Sequence, residues 1–283
     1  MFQYSLMLAL HSVFPDEEIK GDLLPFRSYR RHNGFELERV FGIRVDAATE
    51  AEIKKLKVFF SSYFLSRCYR RLPGAFQKRT TCNETTVMAY DPSVLTVPGD
   101  RYFSGYWQNH AYFAPADAAV RAAFAFPPHR DRRNLELAER LTDDQRSVAI
   151  HVRRGDYVKD PLFRGICGET YFSNALAALP EARSLYRYFV FSDDPEWCRS
   201  RLLPLLGGAE ATFVDWNTGT ESFRDMQLMG CCRHMILANS SFSWWGAYLN
   251  RHTDPVVIAP EKWCNRHRAS YPHLPQWRKV PTG

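Results

Sequence analysis

The 283-residue sequence has no apolar run long enough to cross a bilayer; its opening, MFQYSLMLAL, is apolar but lacks the basic flank of a secretory signal. Paired cysteine spacing is missing too. The seven cysteines (Cys68, Cys82, Cys167, Cys198, Cys231, Cys232 and Cys264) are odd in number and include no C-x-x-C pair or ladder of metal-ligand spacings. That argues against a disulfide scaffold or a zinc site and for a reducing cytosol, where the N-x-S/T triplets at Asn83 and Asn239 carry no meaning. There is no low-complexity tract and no internal repeat, and 45% hydrophobic with 24% charged residues is the balance of a folded globular chain. Charge of one sign is not concentrated. Thirty-seven Lys and Arg against 31 Asp and Glu give +6, spread along the chain without a basic tail, a weak preference for anionic ligands or membrane surfaces. The densest cluster, HRDRR at 129–133, lies between Pro128 and a helical NLELAERL and reads as a solvated linker rather than a nucleic-acid patch. The expected location is cytoplasmic, with peripheral association at the inner face of the membrane as the variant.

What is present divides into two halves. The first is aromatic-rich: IKKLKVFFSSYFLSRCYRRL (53–72) has helical spacing, RYFSGYWQNHAYF (101–113) is mixed, and ADAAVRAAFAF (116–126) is a helix stopped by Pro127 and Pro128. From about residue 145 the pattern is regular. Apolar strands alternate with helical segments: SVAIHV, TYFSNALAAL; YRYFVFS, PEWCRSRLL; ATFVD, SFRDMQLMGCC; HMILAN, SFSWWGAYLN; and PVVIAP. Five strands joined by four helices predict an α/β doubly wound parallel sheet, with 145–283 a Rossmann-like domain and 1–144 a second α/β domain. Ligands of such sheets bind outside the carboxyl ends of the strands.

Four of those ends are polar. The first, HVRRGDY, offers the Arg153 fork to a diphosphate and lets Gly155 turn the chain so that Asp156 faces the same cleft; the alternative is an Arg–Asp surface pair of little worth. The second, FVFSDDPEW, places Ser192, Asp193 and Asp194 where adjacent carboxylates hold Mg²⁺ or, as the Asp-Pro pattern favours, where Asp194 caps a helix beside a nucleotide contact. The third ends in Asp215, either a ribose or base acceptor or the start of a turn, and its helix carries Asp225. The fourth, ILANSSFSWWGAYLN, breaks at Asn239 so that Ser240, Ser241 and the following N–H groups meet phosphate oxygens at a helix N-terminus, or simply cap that helix. Trp244 and Trp245 read as core rather than as sugar-stacking rings.

Together HVRRGDY, FVFSDD and DMQLMGCCRHMILANSSFSWWGAYLN resemble the three ordered motifs of bacterial α-1,2-fucosyltransferases, glycosyltransferase family eleven. MFQYSLMLAL is similar to the tail of that family's Gly-rich first motif, GGLGNQMFQYAxxLAL. The resemblance implies a GT-B architecture, two Rossmann-like domains facing a cleft, with 1–144 on the acceptor side and 145–283 binding GDP-fucose. Because the GGLGNQ turn and its strand would precede Met1, the first domain is expected to lack its initial strand. The implied reaction is inverting, metal-independent transfer of L-fucose from GDP-fucose to the 2-hydroxyl of a galactose-terminated acceptor, with no cofactor and no nucleic-acid partner. By motif position Arg153 meets the donor diphosphate, and Ser240, Ser241 and Phe242 wrap it; Arg154, Ser192, Asp193, Asp215, Asp225 and Asn239 complete the expected donor contacts. Asp156 is the first candidate for general base and His151 the second. The alternatives are another GDP-fucose-dependent transferase, or an inactive nucleotide- or carbohydrate-binding module.

Overall fold

The structure is a computed structural model that describes residues 1–27, 33–57, 80–96, 98–266 and 271–283. The chain forms two compact units, Met1–Ala125 with Ala269–Pro272 and Phe126–Arg268 with His273–Gly283. The division falls at 125/126, ahead of the expected 144/145.

In the first unit, α1 (Phe2–Val13) buries Phe2, Leu6, Ala9 and Leu10, an apolar stripe at helical spacing. After α2 (Leu37–Phe41) comes α3 (Glu50–Leu56), which starts at a capping box between Thr49 and Glu52. The remainder of the helix expected over 53–72, from residue 58 on, lies outside the described residues. Strands β1 (Thr81–Asn83) and β2 (Tyr102–Ser104) pair in parallel, and α4 (Asp117–Ala123) ends ahead of the two prolines as expected. Two bulky buried residues of this unit, Met88 (φ 67°) and Trp107 (φ 57°), are left-handed, a conformation that costs a non-glycine residue about 1–3 kcal/mol.

The second unit opens with α5 (Arg132–Asp143), capped by the Asp131 carboxylate on the Asn134 amide at 2.8 Å. HRDRR is therefore partly cap and helix, not only linker. All five expected strands are present: β3 (Ser147–Val152), β4 (Arg187–Ser192), β5 (Ala211–Val214), β6 (His234–Ile236) and β7 (Val257–Pro260). A sixth, β8 (Arg278–Val280), corrects the expected count. It has three residues, two of them exposed charges that guard the sheet edge, so no apolar run announced it. Every pairing is parallel and the order is β5-β4-β3-β6-β7-β8. That is the doubly wound, Rossmann-like order, whose direction of winding reverses between β3 and β6.

Helix α6 (Glu169–Ala177) follows β3. After β4, α7 (Pro195–Trp197) continues as a π turn (Cys198–Leu202) and a 3₁₀ turn (Leu203–Leu206). Helix α8 (Phe223–Met229) leads to β6, and α9 (Ser241–Tyr248) leaves it. Strand β3 is buried along its whole length. Val148, Ile150 and Val152 pack into one core with Tyr171, Phe172 and Leu176 of α6 and with Leu202 and Leu206; alternation sends Ala149 and His151 to the other face. Trp244 and Trp245 are core residues, 0% and 2% exposed. Among the described residues, no helix is long and apolar enough to cross a membrane.

Candidate active site

The reversal between β3 and β6 sets the carboxyl ends of two adjacent strands side by side, and from them emerge HVRRGDY and NSSFSWW. Arg153 stands at the first of these ends with its side chain 28% exposed. Its guanidinium is held from two sides, by Asp156 at 2.7 Å and by Asp193 at 3.1 Å. Asp193, delivered by β4, also accepts the backbone N–H groups of Arg154 at 2.8 Å and Gly155 at 3.1 Å. One carboxylate thus fixes both the loop backbone and the side chain it presents. The charge-assisted bonds spread the charge of Asp193 over three donors, which leaves Arg153 attractive to an anion.

Gly155 is needed for a reason other than a sharp turn. Its φ is not positive; a Cβ there would come within 2.7 Å of the Asp193 carboxylate. The glycine is what lets the loop sit on that clamp.

Arg154 is engaged within the protein. Its guanidinium pairs with Asp194 at 3.0 Å and lies 4.5 Å over the Trp197 ring, so it fastens the β3 loop to α7. Asp194 itself caps α7, accepting from the Trp197 amide at 3.0 Å, as the Asp-Pro pattern predicts. Ser192 is occupied as well, its hydroxyl accepting from the Asp194 amide at 2.9 Å. The two aspartates are a clamp and a cap, and among the described residues no cluster of three or more His, Cys, Asp or Glu is arranged to hold a metal ion.

At the second strand end Ser240 caps α9, accepting from the Phe242 amide at 3.3 Å. The Tyr157 phenol of the β3 loop is pushed up to about 12, chiefly by burial. Tyr157 lies under the Arg153 guanidinium, 5.6 Å from ring centre, and stacks on Phe163 at 4.5 Å. It thereby backs the guanidinium from within the β3 loop. The sequence reading overlooked it, although a tyrosine four residues after a strand-end arginine is the available signal. Ser241 is exposed at the first turn of α9, while Phe242 packs 5.5 Å from the His151 ring. Asn239 has a fold role: it donates to the Trp263 carbonyl at 3.1 Å and accepts from the Cys167 thiol at 3.4 Å, and it is 1% exposed.

His151 is buried, its Nδ1 without a hydrogen-bond partner. Burial, with the Arg153 charge adding, pushes it down to about 3. The ring is enclosed and packed by Phe242, whereas the Asp156 side chain, 60% exposed, is the one of the two base candidates open to an incoming group.

The third strand end lies apart from the first two. Strand β5 is two places from β3, about 10 Å across the sheet, and Asp215 forms a surface pair with Arg199 at 3.0 Å. Asp215 is thus not at the reversal. Asp225 belongs to a half-buried polar network: Asn217 donates to it at 2.8 Å and to Asn134 at 3.1 Å, and Asn134 accepts from the Trp216 indole at 2.8 Å. Burial, with the Asp215 charge adding and the Asn217 bond opposing, pushes the Asp225 carboxyl up to about 7. The folded protein therefore holds a proton between pH 3.8 and about 7 that the unfolded chain releases, so stability falls as pH rises through that window. Asp225→Asn is expected to flatten the fall. Melting temperatures between about pH 4 and 8 check it; parallel curves for the two proteins would contradict the assignment.

Residues 45–280 match the family model described as glycosyl transferase family 11. The chain is 32% identical over 273 residues to an alpha-1,2-colitosyltransferase of Escherichia coli, covering 94% of this chain and 89% of that protein. It is 31% identical over 141 residues to the O-antigen biosynthesis glycosyltransferase WbnK of Escherichia coli, covering 48% and 45%. The human galactoside alpha-(1,2)-fucosyltransferase 1 is 27% identical over 155 residues, covering 52% and 42%. No solved structure matches the chain.

Proposed function

The chain belongs to glycosyl transferase family 11, and from that membership we propose that it transfers L-fucose from GDP-fucose to the 2-hydroxyl of a galactose-type acceptor, inverting the anomeric carbon without a metal. The family makes it a glycosyltransferase with a nucleotide-sugar donor and a glycan acceptor. The α-1,2 linkage is favoured because an Escherichia coli relative and a human one are both named for that linkage. Colitose in place of fucose is the second reading, favoured by the relative that spans nearly the whole chain.

One observation carries the assignment: Arg153, held by Asp156 and Asp193, stands at the β3 end beside the strand end from which α9 starts. Glycosyl transfer proceeds through an oxocarbenium-like state in which negative charge grows on the departing group, here the diphosphate. A fixed guanidinium and the N–H dipoles of a helix start, aimed at that charge, are the largest catalytic term available. Donor binding displaces the contact between Arg153 and Asp156, the more exposed of its two carboxylates. Asp156 is thereby released to take the proton of the acceptor hydroxyl. Ser240 and Ser241 meet the phosphates, Asp225 the nucleoside end, and the second unit takes the donor while the first takes the acceptor, as in a GT-B enzyme. Incubation with GDP-fucose and lactose in the presence of EDTA tests the reading: GDP and a fucosylated lactose are the expected products, and a folded protein that neither binds GDP nor forms product refutes it.

A further inference from the structure

We propose that the loops following β1 and β2 form the acceptor's sugar platform, with the rings of Tyr106 and Tyr90 as its stacking surfaces; this rests on the glycosyl-transfer reading above.

The two strands are parallel and in register, Asn83 opposite Ser104, so the segments that leave them, 84–91 and 105–112, start side by side at the carboxyl end. Both contain a strained residue. Met88 and Trp107 are bulky, buried and left-handed, a state tolerated only where surrounding contacts impose it and one that collects at ligand sites. The contacts are visible. The Glu84 carboxylate accepts the Met88 amide at 3.1 Å and the Tyr106 amide at 2.8 Å, and the Asn109 side chain donates to the Met88 carbonyl at 2.8 Å. Gly105 lies so close that a Cβ would fall 2.5 Å from the Glu84 Cβ.

The consequence is outward display of aromatic rings. Trp107 is turned in, 5.4 Å from the Tyr112 ring, while its neighbour Tyr106 stands 65% exposed. Tyr90, 42% exposed, rests 5.0 Å from the same Tyr112 ring. Tyr112 in turn donates to the Ala89 carbonyl at 2.9 Å and accepts from the Asp91 amide at 3.0 Å, so the support is rigid. The core does not use Tyr106, yet strain is spent on its presentation. A phenol offers an apolar face with a polar rim, the complement of a pyranose, whose C–H face is edged by hydroxyls. The charge of the loops selects between the substrates. Segments 84–91 and 105–112 contain Glu84 and Asp91 but no Lys or Arg, together with Thr85, Thr86 and Gln108; that set suits a neutral sugar and repels a diphosphate.

Saturation-transfer NMR with lactose, on the wild type and on Tyr106→Ala, Tyr90→Ala and Tyr106→Phe, tests the platform alongside acceptor KM and calorimetric GDP affinity. Expected are loss of most of the lactose signal and an acceptor KM raised about tenfold in Tyr106→Ala, with a smaller effect in Tyr90→Ala. Tyr106→Phe should retain binding and every variant should hold GDP within about twofold of wild type. The platform is overturned if both alanine variants bind lactose as the wild type does, if lactose does not bind the wild type, or if Tyr106→Ala weakens GDP instead. Lactose binding that depends on Tyr106 in a protein that transfers no sugar would uphold the platform and refute the proposed reaction; transfer unaffected by either alanine would do the reverse.

Discussion

Arg153→Ala is expected to lower kcat on the order of a hundredfold or more in a protein that still folds. The side chain is partly exposed beyond a strand whose own residues make the core, so its removal leaves the packing of β3 intact. On the proposed reading, what it takes away is the fixed positive charge that faces the leaving diphosphate. Arg153→Lys should recover only part of the rate, because an ammonium keeps the charge but loses the planar fork that two carboxylates now hold in place. Steady-state kinetics with GDP-fucose and lactose, beside a thermal unfolding curve, check both. Near-wild-type transfer by folded Arg153→Ala would remove Arg153 from the chemistry.

Asp193→Ala should approach the same loss without touching substrate. The carboxylate accepts from two loop amides and the Arg153 guanidinium, and hydrogen bonds to a charged group are worth about 1.5–3 kcal/mol each. Without it the loop is free to drift and the guanidinium is held only by the exposed Asp156. Tens- to hundredfold lower kcat, by the order of those energies, and a lower melting temperature are expected. Because Asp193 acts through Arg153, the double variant Arg153→Ala/Asp193→Ala should be hardly slower than Arg153→Ala alone. Full additivity of the two losses would show that the clamp is not a clamp. Gly155→Ala, which drives a methyl to within 2.7 Å of the same carboxylate, should resemble Asp193→Ala.

Much of the second unit was legible because its strands are apolar runs bounded by helical periodicity, the signature of a sheet covered on both faces. The strand order was not, since periodicity carries no information about which strands are neighbours; only the order showed that the HVRRGDY and NSSFSWW ends adjoin while Asp215 stands apart. Strand β8 escaped because three residues, two of them charged, have no period. Side-chain roles were the least legible. Arg153 and Arg154 are adjacent and chemically identical, yet one is held at the strand reversal and the other lies between Asp194 and Trp197. Asp193 and Asp194 divide in the same way into clamp and cap. Such choices depend on which strand end a neighbour comes from. In the described part of the first unit short strands and left-handed residues stand between the helices, and there sequence pattern yielded little beyond α4 and the mixed stretch around β2.

The linkage of the product decides the central claim most directly. With GDP-fucose and GDP-linked colitose supplied separately and lactose as acceptor, NMR of the purified product should show a single new α-1,2 bond to the galactose residue, formed from one of the two donors with release of GDP. A new bond at any other hydroxyl, or no product from either donor while the folded protein fails to bind GDP, would contradict it.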